Sequence, residues 1–216
     1  MRESLKLTLV SAAAQQPVTL AEAKAQLRIE DDASEDALIS AYIASATALA
    51  EEFLGRALIS QTWRLFLDDW PSKPGRWADD DWEGTREGPI TMLQTSARAI
   101  ELPKAPLQSI THLKTFNDSD AETTVATSVY FVDTASDPGR LVLRTGQAVP
   151  VAERVANAYE VEFVAGYGDS PHNVPEPIRQ GILLTVEKLY EGCEAQNAME
   201  KASAKTVMQP YRVMRV

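Results

Sequence analysis

Residues 166–190 read GYGDSPHNVPEPIRQGILLTVEKLY. Two glycines, a histidine and three prolines stand ahead of Ile178, Ile182, Val186 and Leu189. Those apolar residues recur at the spacing of a helix buried on one face. The opening of the stretch has three possible meanings: a phosphate loop, a histidine site, or a corner where a sheet hands over to a helix. A dinucleotide loop needs a third glycine, and Pro171 stands in its place. Pro171, Pro175 and Pro177 have no N–H to offer an anion. The corner is the reading that fits: the glycines let the chain turn, and Pro175 and Pro177 suit a first helical turn.

Upstream, AYEVEFVA (158–165) alternates as a strand. Tyr159, Val161, Phe163 and Ala165 face one way, Glu160 and Glu162 the other. ISQTWRLFLDDW (59–70) alternates too, with Trp63, Leu65 and Leu67 on one side. Further strands are expected at 109–116, 129–133 and 140–144, separated by turn signals NDSD, DPG and TG. Strands and helices do not alternate, so a parallel sheet is not expected. The middle of the chain reads as an antiparallel unit of about five strands.

Residues 17–56 are helical in pattern. Thr19 and Glu22 form a capping-box signature ahead of LAEAKAQLRI. After the acidic break at 30–36, Ser34 can cap a second helix, which ends at Gly55. That helix carries two neighbouring apolar stripes. One is Leu38, Tyr42, Ser45, Leu49 and Phe53; the other is Ile39, Ile43, Ala46, Ala50 and Leu54. Such a wide, alanine-rich face serves packing in the chain's own core, and part of it can meet a neighbouring subunit.

The chain has 216 residues, 44% of them hydrophobic, and a formal net charge of −10. That supports a proper core and opposes nonspecific binding of nucleic acid by the whole surface. Cys193 is the only cysteine, which excludes an internal disulfide and a cysteine zinc cluster. The N-terminal apolar run, Leu7–Val10, is too short for an export signal. No run approaches the ~20 apolar residues of a membrane span, so no membrane partner is expected. The tail KASAKTVMQPYRVMRV is basic and studded with apolar residues. On an acidic protein it reads as a docking arm.

Chemistry is sparse. No nucleophile motif or metal-helix motif occurs, and His112 and His172 read as ordinary polar residues. Asp79, Asp80, Asp81 and Glu83 lie in a long tryptophan-containing loop, with Trp70, Trp77 and Trp82. Their spacing does not match a calcium loop. No catalytic residue, metal site or cofactor is expected. The enzymatic alternative is a metal-dependent hydrolase using the acidic loop at 79–83 with His172. A third is a carbohydrate-binding β module using the tryptophans.

The order of these features resembles the phage head–tail connector, or adaptor, family. The resemblance rests on P-V-T-L-A-E-A-K-x-x-L-R at 17–28, D-A-L-I at 36–39, G-R-x-L-I-x-Q-T-W at 55–63 and D-x-W-P at 68–71. It continues with V-E-F-V-A-G-Y-G at 161–168 and V-P-E-P-I-R-Q-G-I-L at 174–183. It implies an α+β fold: a helical bundle core, an inserted antiparallel β unit and a C-terminal arm. The expected boundaries are 1–56 for the first helices, 57–168 for the β insertion, 169–200 for the closing helix and 201–216 for the arm. It also implies a structural role in a phage or gene transfer particle, at the head–tail interface, after assembly in the host cytoplasm. The chain would be a protomer of a ring, usually of twelve copies, beneath the portal protein. Packaged DNA would pass through without sequence-specific binding, and a head-completion (stopper) or tail protein would follow. The docking residues would be Tyr211, Arg212, Val213, Met214 and Arg215. Helix packing would fall to Leu38, Tyr42, Leu49 and Phe53.

Overall fold

The computed structural model describes residues 6–29, 33–71, 98–192, 194–201 and 203–213. Its strands are β1 (Lys6–Ser11), β2 (Gln61–Leu67), β3 (Ala99–Glu101), β4 (Leu107–Phe116), β5 (Glu122–Thr124), β6 (Tyr130–Asp133), β7 (Arg140–Leu143) and β8 (Tyr159–Ala165). Its helices are α1 (Leu20–Leu27), α2 (Asp36–Leu54), α3 (Glu176–Tyr190), α4 (Ala195–Lys201) and α5 (Ala204–Met208). The fold is α+β. A five-stranded sheet has the order β1-β2-β8-β4-β5, and a three-stranded sheet has the order β3-β7-β6. Every pairing within them is antiparallel.

The alternation in β2 and β8 is in register: Trp63 faces Phe163, Leu65 faces Val161 and Leu67 faces Tyr159. These side chains join Leu113 of β4 with Ile100, Leu141, Leu143 and Tyr130 of the smaller sheet in one core. The sheet also takes a strand from the N-terminal segment. β1, which contains the short apolar run Leu7–Val10, pairs with β2 and is pinned by Lys6 to Asp68 at 2.7 Å. β3 and β5 have three residues each, too short for alternation to reveal.

The second core is helical. Ile39, Ile43, Ala46, Ala50 and Leu54 of α2 meet Ile178, Ile182 and Val186 of α3. α3 packs against α1, α2, α4 and α5. Gly181 leaves room for α5: a Cβ there would stand 2.8 Å from Met208 Cγ. α1 carries its expected capping box, with Glu22 Oε2 accepting from the Thr19 N–H and hydroxyl at 2.8 Å. The other Glu22 oxygen accepts from Arg179 of α3, which also donates to the Pro17 carbonyl at 3.1 Å. Burial pushes the Glu22 carboxyl up, but the Thr19 and Arg179 donors outweigh it and hold it below its ordinary value.

Two expectations change. The cap position of α2 is Glu35, not Ser34, because a 3-10 turn over Ala33–Glu35 leads into the helix. Ala33–Leu54 is long and apolar enough, by length and composition, to cross a membrane. In the fold its inner stripe instead lines the helical core, and alanines supply much of its apolar character.

The two cores meet at the corner. Gly166 N–H donates to Pro106 O at 2.9 Å, Tyr167 N–H to Leu58 O at 3.1 Å, and Ser60 N–H to Gly168 O at 3.1 Å. Gly166 and Gly168 have φ of +138° and +149°. A Cβ on Gly166 would lie 2.6 Å from the carbonyl carbon and oxygen of Ile59. The histidine of the opening stretch, His172, is exposed in a 3-10 turn over Pro171–Asn173. Gly166→Ala is expected to destabilise the chain by about 2–4 kcal/mol, from backbone strain and overpacking together. Denaturant unfolding measures this, and a loss under about 0.5 kcal/mol would mean that the corner relaxes freely.

Candidate functional site

Three surfaces carry the functional possibilities. The first is the outer face of α2. Its inner stripe is buried, but Leu38 is 46% exposed. Tyr42, Leu49 and Phe53 are half-buried against the edge of the helical core. Ala37, Ala41, Ala44, Ser45 and Ala48 are exposed, and no charged residue occurs between Asp36 and Glu51. An exposed helix face without charge over this length is unusual, since solvated faces are normally charged.

The second surface is where the tail returns. α5 places Ala204 and Met208 in the helical core, so the segment from 201 is not an arm over its whole length. After the 3-10 turn Gln209–Tyr211, the Val213 N–H donates to Leu54 O at 2.9 Å. This satisfies a carbonyl that the end of α2 leaves open. Arg56 donates to the Tyr211 carbonyl and pairs with Asp137. The Arg212 guanidinium lies 5.1 Å from the Phe53 ring centroid. An open cleft of about 690 Å³ lies beside this return, lined by Leu7, Glu51, Phe53, Lys104, Arg212 and Val213 among others. Glu51 Oε1 accepts from the Leu58 N–H and the Gln61 amide, both at 2.9 Å. Burial pushes its carboxyl above the ordinary value, and those two donors and Lys104 offset this only in part.

The third surface is the polar face of the five-stranded sheet. Glu160 and Glu162 alternate onto it from β8. A bulge in β4 between Ile110 and His112 brings His112 opposite Glu162 while Ile110 and Leu113 both stay on the core side. Bulges commonly re-aim a side chain in this way. His112 Nε2 stands 3.0 Å from Glu160 Oε1, and Nδ1 stands 4.0 Å from Glu162 Oε1. Arg64 of β2 donates to Glu162 Oε2 through Nε and a terminal nitrogen at 2.9 and 2.8 Å. Next to this group, Lys114 pairs with Glu122 at 2.8 Å. The alternation of β8 placed the two glutamates together in the sequence. The bulge, which alternation does not reveal, is what adds the histidine.

The residues named from the sequence therefore fall in different places. Leu38, Tyr42, Leu49 and Phe53 share the outer edge of α2. Tyr211, Arg212 and Val213 lie against the end of the same helix. Met214 and Arg215, the acidic run Asp79–Glu83, and Trp77 and Trp82 lie outside the described residues. Trp70 is buried in the sheet core, edge-on to Tyr159 at 5.5 Å between ring centroids. It is not on the surface that a carbohydrate module would need.

A helical bundle is thus joined to an antiparallel sheet pair, with an outer face of α2 that carries no charge between Asp36 and Glu51. The chain belongs to the phage gp6-like head-tail connector protein family, whose model matches residues 17–137. Solved structures with the same fold come from gene transfer agent (GTA) particles. One is in the neck of an empty GTA particle computed with C6 symmetry: TM-score 0.70, 23% identity, covering 97% of this chain and 96% of that one. Another is in the neck of a native GTA particle computed with C12 symmetry: TM-score 0.69, 22% identity, covering 97% and 96%. A third is in the virion of a native GTA particle: TM-score 0.66, 23% identity, covering 98% and 97%. No curated protein matches the chain. The family is one of structural connectors and gives the hydrolase alternative no support.

The raised Glu51 carboxyl has a pH consequence. Its stability contribution is complete below the ordinary value of 4.5 and is lost as pH rises through the raised value. Glu51→Gln keeps the acceptor and removes that loss, so its melting temperature should gain on the native chain as pH rises. Glu51→Ala leaves the Leu58 N–H without its acceptor and should cost about 1–3 kcal/mol. A melting difference between native and Gln chains that is flat or falls with pH would contradict this assignment.

Proposed function

We propose that this chain is one protomer of a closed ring that sits beneath the portal at the head–tail interface of a phage-like particle. The ring extends the DNA channel and presents the next platform to a head-completion or tail protein. Membership of the connector family carries the reading. The likeness in fold over nearly the full length of both chains, to proteins in necks computed with six- and twelve-fold symmetry, supports it. Twelve is the copy number we expect. A head-to-tail contact that closes makes a ring from identical protomers.

The outer face of α2 is the surface that fits such a contact. Its alanines and serines allow a neighbouring backbone to approach closely, and burying Leu38 adds a favourable apolar term. The tail residues Tyr211–Arg215 are the portal-docking element in this reading. Arg212 is exposed and stands at the end of α2, so docking there would engage the same helix that meets the neighbour. The net charge of −10 limits sticking to DNA passing through the ring. The protein has no catalytic step in this role.

The test is electron microscopy of the full chain mixed with the portal ring from the same genome. A second ring stacked on the portal is expected. Removal of 212–216 should leave circular dichroism close to native, because α5 is retained, should cost about 1–2 kcal/mol for the lost Val213–Leu54 bond and Arg212–Phe53 contact, and should abolish stacking. Stacking by the truncated chain would overturn the docking assignment. Ala44→Glu, on the exposed side of α2, should keep the monomer folded and block ring closure. Rings of normal size from that variant would remove the α2 face from the contact.

A further inference from the structure

We propose that His112, Glu160 and Glu162 form a binding site for a first-row divalent cation, Zn²⁺ above all, on the polar face of the five-stranded sheet. One ligand atom from each of the three residues lies within 4.8 Å of the others. The 3.0 Å between His112 Nε2 and Glu160 Oε1 is near the ~3.3 Å that separates two donors on a tetrahedral ion with bonds of about 2.0–2.1 Å. An imidazole with two carboxylates is a donor set for zinc and its neighbours. Ca²⁺ and Mg²⁺ take oxygen ligands in larger number.

The placement is built. Glu160 and Glu162 arrive by strand alternation, and the β4 bulge adds His112 in register. The two carboxylate side chains are only 9% and 13% exposed. Among the described residues, Arg64 is the one Lys or Arg hydrogen-bonded to them, and Lys114 is engaged with Glu122. Two largely buried carboxylates share one guanidinium, and burying carboxylates without a full set of partners is costly. A bound cation removes that cost. Arg64 Nε also stands 3.4 Å from Glu160 Oε1 and would have to move off that oxygen when an ion takes it, while its stronger contact can stay. Its hydrogen bonds go to Glu162 Oε2, whereas Oε1 is the oxygen nearer His112. An outer partner on a ligating carboxylate orients it toward the metal.

The ion would clip β4 to β8, at the centre of the sheet. Its role is structural: three protein ligands tie two strands whose ladder is interrupted by the bulge. The inference is independent of the ring reading.

The experiment is calorimetric titration of the untagged full chain with Zn²⁺, with Co²⁺ absorption as a second readout. One ion per chain is expected, with visible Co²⁺ bands of a low-coordinate site. His112→Gln should weaken binding by at least about 10- to 100-fold, the loss that even an outer partner's removal brings. His172→Gln should leave it unchanged. Should His112→Gln fold poorly by circular dichroism, Glu162→Gln gives the same reading through the Co²⁺ bands. Absence of one-to-one binding would overturn the proposal. Binding that survives both variants and is lost on neutralising Asp79–Glu83 would overturn it too.

Discussion

The molecule depends on one backbone crossing. Residues 57–60 and 165–168 lie against each other where the sheet ends and the helical bundle begins, joined by two main-chain hydrogen bonds, with a third from Gly166 to Pro106 and without room for a side chain at Gly166. On one side, Ala57 and Ala165 belong to the sheet core; on the other, Leu58 and Ile59 belong to the helical core. Both cores thus draw on the same pair of crossing segments, and neither can shift without straining them. Arg179 adds a second tie between the start of α1 and the start of α3, through Glu22 and the Pro17 carbonyl.

Each layer then sorts its surface by period. β8 turns one face to the sheet core and the other to a buried charge cluster, because its side chains alternate. α2 turns its aliphatic stripe inward, and its small residues outward, because its period is 3.6. The outward alanines cost little when left in water and hinder nothing that approaches. A helix of this kind holds its own fold with half of its circumference and leaves the other half available. That is the property a protomer of a larger assembly needs, and it is consistent with membership of a head-tail connector family.

Much of this was legible in residues alone. The Thr19–Glu22 capping box, the Gly166–Pro177 corner and the alternation of β2 and β8 each have a local cause, and each appears where its cause stands. What local reasoning missed depends on partners far away in the chain. β1 is a strand only because β2 offers it an edge. β3 and β5 are too short to show a period. α5 reads as part of a basic tail, yet Gly181 on α3 leaves the space that Met208 fills. The site residues divide the same way. The two stripes of α2 could be written down from spacing, but which of them faced inward was set by α3. Glu160 and Glu162 were visible as a pair, whereas His112 joined them only through a bulge in another strand.

The return of the tail to the end of α2 has a mechanical meaning. The Val213–Leu54 hydrogen bond and the Arg56 bond to the Tyr211 carbonyl fasten the last described residues to the helix terminus. Tension on the chain end would therefore enter α2 along its axis and spread through α3 to the rest of the bundle. The sheet would feel it through the Arg56–Asp137 pair and through the crossing itself. The helical half is in that sense the load path, and the sheet a body carried beside it.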